Sequence, residues 1–92
     1  MILFSKQHFN KRRIAVIVCS DFKVYFKLVE VIRLLFNMCD HTYIHENYIR
    51  VFDEFPNTKF VSAAGLRVLT GLSPKTATAQ QLQHWADSLF LR

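Results

Sequence analysis

The chain has 92 residues, 51% of them hydrophobic and 14% aromatic, with 12 Lys and Arg against 7 Asp and Glu, a net charge of +5 and a pI near 9.6. That length supports one domain with a single core, and that apolar content excludes a disordered polypeptide. The longest clean apolar run, Ile14–Cys19, falls far short of the roughly 20 residues of a membrane-spanning helix.

Met1–Phe4 is apolar and reads as a short strand. Ser5–Arg13 is polar and carries Lys6, Lys11, Arg12 and Arg13. It reads as an exposed connection, so that residues 1–13 form a basic N-terminal arm. Ile14–Cys19 is compact and rich in β-branched residues, the signature of a buried strand. The stretch KRRIAVIVC has the outward form of a secretory leader, but its apolar part is too short and small residues are missing before the Cys. A cytoplasmic strand behind a basic arm is the expectation. Cys19 and Cys39 sit in apolar surroundings and read as buried free thiols of a reducing compartment.

Asp21 is placed to cap a helix that begins at Phe22. Val24, Leu28, Val31, Leu35 and Met38 recur at helical spacing, and Phe22, Phe26, Val29, Ile32 and Phe36 widen the same face. The spacing predicts one long amphipathic helix over 22–38, central in the core or shared with a partner chain. His41–Phe55 fits a helix through Ile44, Tyr48, Val51 and Phe55. It fits a strand through the alternation of Tyr48, Arg50 and Phe52 with Ile49, Val51 and Asp53. Pro56–Asn57 reads as the turn that ends it.

Phe60–Val61 is short and extended. Ser62 is the expected N-cap of a helix Ala63–Leu69 that Gly71 ends. Ser73–Pro74 reads as a second cap with Pro at the first helical position. Thr78 with Gln81 has the form of a capping box, and Leu82, Trp85, Ala86, Leu89 and Phe90 make an amphipathic stripe. The fold class implied is a small single-domain α/β or α+β protein. A short sheet packs on the long helix and on two C-terminal helices within 62–90, with strands near 14–19 and 48–55. A remainder that is all helical after the first strand is the alternative.

Two stretches carry resemblances. Glu54 and Phe55 at a strand end, Phe60–Val61, and then Ser62-Ala63-Ala64-Gly65-Leu66-Arg67-Val68-Leu69 resemble the signature of STAS domains, the anti-sigma-factor-antagonist type. The resemblance implies a regulatory protein that docks on another protein through the turn Ser62, Ala63, Gly65, Leu66 and Arg67. A hydroxyl at that helix N-terminus is well placed for phosphorylation. The serine that the family phosphorylates aligns with Ala63, so the switch is absent or moved to Ser62. The upstream order strand, helix, strand, helix would suit the family, but the chain after Leu69 is short for the rest of that fold.

Ala63–Gln83 is similar to helix-turn-helix regulators, with Leu69-Thr70-Gly71-Leu72-Ser73-Pro74-Lys75-Thr76 in the place of the turn and the start of the recognition helix. That resemblance implies DNA contacts from Lys75, Thr76 and Thr78, with Arg12 and Arg13 on the basic arm. Arg67 and Gln80 depart from the family's small and apolar positions.

Cys39, Asp40, His41, His45 and Glu46 group side chains able to ligate a metal, but no downstream cluster completes a structural site. The chain has no P-loop, no dinucleotide fingerprint and only two Gly. Neither a catalytic residue, a metal, a cofactor nor a small-molecule substrate is indicated. The expectation is a cytoplasmic, non-enzymatic regulatory protein that binds a protein partner or a second copy of itself through an apolar face, with DNA binding as the alternative.

Overall fold

A computed structural model describes residues 2–36 and 44–89. Its core is a five-stranded antiparallel sheet with three helices on one face, an α+β arrangement of the expected class. The strands are β1 (Ile2–Phe9), β2 (Arg12–Cys19), β3 (Val24–Lys27), β4 (Ile49–Phe52) and β5 (Phe55–Ser62). They lie side by side in the order β1-β2-β3-β5-β4. The helices are α1 (Leu28–Phe36), α2 (Ala63–Leu72) and α3 (Thr76–Ser88).

The basic segment expected to be a connection is a hairpin. Ile2 faces Cys19 and Phe9 faces Arg12 along an unbroken register. Asn10 closes the turn at a φ of 54°, in the left-handed region that Asn tolerates better than most residues. Arg12 and Arg13 therefore open a strand rather than end a mobile arm, and both stay exposed.

The expected helix over 22–38 splits. Val24–Lys27 is a strand between β2 and β5, and α1 follows without a loop. Val24 and Phe26 point to the helices and Tyr25 to the opposite face, a period of two that the coincident helical spacing conceals. Asp21 caps no helix. Its Oδ1 accepts the Lys23 N–H at 3.1 Å, an Asx-type turn in the β2–β3 connection. The apolar side of α1 is taken up inside the chain, with Leu28, Val31, Ile32 and Leu35 buried, so these residues are not open to a second chain. Met38 lies outside the described residues.

The stretch before β5 resolves as a single 3-10 turn, Glu46–Tyr48, and then β4. The hairpin turn is Asp53–Glu54, not Pro56–Asn57, which lie within β5. Val51 pairs with Lys59 but Phe52 pairs with Phe55. Residues 56–58 therefore bulge out of the ladder, where a Pro costs no hydrogen bond.

Among the described residues upstream of Ser62 the order is three strands, a helix, a 3-10 turn and two strands, rather than strand, helix, strand, helix. Ser62 does cap α2, its Oγ accepting the Gly65 N–H at 3.1 Å. Ser73 and Pro74 do not begin α3. The Ser73 hydroxyl is buried, donates to the Leu35 carbonyl at 2.7 Å and accepts the Lys75 N–H at 3.1 Å, tying the α2–α3 turn to α1. Thr78 lies inside α3 and forms no capping box. No helix among the described residues is long and apolar enough to cross a membrane.

Candidate functional site: a cation-lined groove at one end of the sheet

The groove forms where β2 begins and β3 ends. β3 pairs with β2 only over Val16–Val18, so the Ala15 N–H, which points away from β1, has no strand partner. Glu30 of α1 takes it, Oε1 accepting at 2.8 Å. That bond draws the first turn of α1 against the start of β2. Around it Arg12, Arg13, Arg33, Ile14 and Leu34 line a concavity of about 240 Å³. A second concavity, of about 390 Å³, is lined by Lys27, Val29, Arg33, Asn57, Thr58 and Lys59.

Arg33 lines both, so the two concavities are neighbours, and together they make up the cation-lined groove. Five cations border it: Arg12, Arg13, Lys27, Arg33 and Lys59. Among the described residues that line it, the single carboxylate is Glu30, whose Oε1 accepts the Ala15 N–H and whose charge offsets one of the five. The 56–58 bulge of β5 sets Asn57, Thr58 and Lys59 beside Lys27. The cations come from three strands and a helix, and no local stretch of sequence announces them. Only Arg12 and Arg13 were candidates from the sequence.

The other sequence candidates fall elsewhere. In the turn proposed for a protein partner, Gly65 and Leu66 are buried, while Ser62 is half-buried and Ala63 and Arg67 are exposed. Gly65 is where α2 crosses the sheet closely. A Cβ there would come within 2.5 Å of Val61 Cγ2, 2.7 Å of Tyr48 Cβ and 2.9 Å of Ile44 Cδ1. Arg67 reaches Asp87 of α3 at 3.5 Å, and Gln80 is exposed on α3.

Of the residues proposed for DNA, Lys75 and Thr78 are half-buried and Thr76 is exposed at the start of α3. No Lys or Arg occurs within Thr76–Ser88, so Lys75, at the N-terminal end of α3, is the cation nearest to the helix proposed for recognition in sequence, whereas five Lys and Arg border the groove. Cys39, Asp40 and His41 lie outside the described residues. His45 caps the 3-10 turn, Nδ1 accepting the Asn47 N–H at 3.1 Å. No group of three metal-ligating side chains occurs among the described residues. Cys19 is buried and free.

No family model, no curated protein and no solved structure matches the chain. The likenesses of Glu54–Leu69 and Ala63–Gln83 to the two regulator families thus rest on those stretches alone.

Proposed function

We propose that this chain is a non-catalytic regulatory binding protein whose groove takes the phosphate backbone of a nucleic acid. The observation that carries the reading is the convergence of Arg12, Arg13, Lys27, Arg33 and Lys59 on neighbouring concavities with Glu30 as the single carboxylate among their described lining residues, an excess of positive charge. Guanidinium and ammonium groups on different elements match a chain of phosphates, which supplies negative charge at intervals.

An anisotropy titration of a labelled oligonucleotide at several salt concentrations tests this. Affinity is expected to fall log-linearly with salt. The double change Arg12→Glu and Arg13→Glu is expected to flatten that slope by about 2 and weaken binding more than tenfold. Salt-independent binding, or binding indifferent to that change, defeats the reading.

A second reading, docking on a protein, draws on α2. Ala64, Val68 and Leu72 stand at i, i+4 and i+8 on its outer side, all three exposed. Val68→Asp is expected to abolish capture of such a partner and to leave oligonucleotide binding unchanged.

A further inference from the structure

Resting on the reading of the groove as a phosphate site, we propose that its ligand is single-stranded and that one unpaired base stacks on the ring pair Phe4–Phe55. Phe4 is 44% exposed although its strand is fully paired on one side. Its ring meets that of Phe55 at 4.9 Å between centroids with 34° between planes. This leaves an aromatic surface open to solvent on the face of the sheet opposite α1, α2 and α3.

The surface leads to the groove. Phe4, Lys6 and His8 lie on one side of β1, opposite Ile17, Ala15 and Arg13 in turn. Alternate residues of a strand stand roughly 6.6 Å apart. From the ring pair a ligand therefore meets Lys6, then His8 beside Arg13, over about 13 Å of strand, and Arg13 already lines the groove. Lys6, His8 and Arg13 are all exposed. An aromatic platform joined to a row of cations is what a single strand requires, since its bases offer π-faces and its phosphates follow the charges. A duplex cannot use the platform, because each face of a paired base is covered by its neighbours.

Asp53 and Glu54 fix the direction. They form the exposed hairpin turn next to Phe55 and repel phosphate from that side. The backbone then leaves the ring pair along β1, and the neutral base is the part that lies nearest the carboxylates.

Three probes decide the matter by anisotropy or competition: a mixed-sequence single strand, its duplex, and inorganic polyphosphate, which has the charge and no bases. The single strand is expected to bind at least tenfold tighter than the other two. Phe4→Leu, which keeps an apolar side chain and removes the ring, should weaken the single strand about tenfold and leave the duplex unchanged, while Phe4→Tyr restores binding. Should Phe4→Leu melt early, the surface variant Asp53→Asn with Glu54→Gln substitutes for it, with a severalfold gain for the single strand as the supporting result. Equal affinity for all three probes overturns the stacking proposal, as does indifference to the ring or the carboxylates. If Arg12→Glu with Arg13→Glu still weakens binding in that case, the phosphate reading stands alone. Failure of all three probes to bind at low salt overturns both.

Discussion

The two faces of the sheet are built from alternate residues of the same strands, yet they are closed by different means. On one face Phe9, Ile14, Val16, Val24, Phe26 and Val61 lie beneath three helices, whose Leu28, Val31, Ile32, Leu35, Leu66, Leu69 and Leu82 complete an aliphatic core. On the other, Ala15, Ile17, Cys19, Tyr25, Phe52 and Phe60 form a second cluster made of strand residues alone. That face is closed by its own aromatics. Tyr25 and Phe52 meet edge to face at 5.2 Å, as do Phe52 and Phe60 at 5.6 Å. The Arg50 guanidinium lies 4.6 Å from the Phe52 ring centroid and 5.6 Å from that of Tyr25. A hydrogen bond with the Tyr25 side chain raises the Arg50 pKa above its ordinary value.

The curl of the sheet makes this closure possible. Phe4 on β1 and Phe55 on β5 are separated by β2 and β3, about 14 Å in a flat sheet. The bulge at 56–58 bends the hairpin so that their rings touch. Packing under helices therefore yields a sealed, mechanically plain core. Closure by curling leaves the last pair of rings at the surface, where it is available to a ligand.

Emptying each face in turn tests the contrast most severely. Phe26→Ala, on the helix-covered face, is expected to cost about 3–5 kcal/mol in urea unfolding. Phe52→Ala should cost about half as much, because an open face collapses or admits water instead of keeping a void. Equal costs would show that the second face is sealed as tightly as the first.

Next in size is the contact between α2 and the sheet. Gly65→Ala should destabilise by about 1–3 kcal/mol through overpacking against Val61, Tyr48 and Ile44. Gly71→Ala, in the same helix with nothing within 4 Å, should stabilise by about 0.5–1 kcal/mol. Thermal melts of the two variants should thus move in opposite directions.

Ser73→Ala tests the polar link inside the helical layer. It removes the hydroxyl that accepts the Lys75 N–H and donates to the Leu35 carbonyl, for an expected loss of about 1–3 kcal/mol in denaturant titration. An effect as small as that of Gly71→Ala is expected at the far end of the sheet. Phe22 is 87% exposed and sits at a φ of 66°, in the turn closed by the Phe22 N–H to the Cys19 carbonyl at 2.9 Å. A β-carbon in that conformation costs about 1 kcal/mol, so Phe22→Gly should raise the melting temperature by a few degrees. A fall would show that the ring contributes packing the exposed position does not suggest.

Much of the fold can be read locally. The buried strand within 12–19 follows from a β-branched run whose residues face two cores. The Ser62 cap follows from a hydroxyl placed three residues before a free helical N–H. The helical stripe Leu82, Trp85, Ala86 and Leu89 follows from its spacing. Its Trp85 Nε1 donates to the His8 carbonyl at 2.7 Å, on the outer edge of β1, a link that spacing does not reveal. The start of β1 was legible in Met1–Phe4, but its continuation was hidden because Ser5, Lys6, Gln7 and His8 carry little apolar signal, an edge strand with one neighbour having less to bury. The turn at Asp53–Glu54 was displaced to Pro56 because Pro marks both turns and strand bulges. Of the groove, Arg12 and Arg13 were visible as a charged pair, whereas Lys27, Arg33 and Lys59 acquire their meaning only from proximity.

Local sequence was enough to specify a single-domain mixture of strand and helix, the cap that starts α2 and the excess of positive charge, because each depends on neighbours within a turn or two of the chain. It took the assembled fold to make Val24–Lys27 a strand, to close one face of the sheet on itself and to bring five distant cations to one groove. Val24 and Phe26 share a period of two while Val24, Leu28, Val31 and Leu35 share one of 3.6, and nothing local decides between them until β2 and β5 supply hydrogen-bond partners; a field of charge exists only once the chain has brought its sources together.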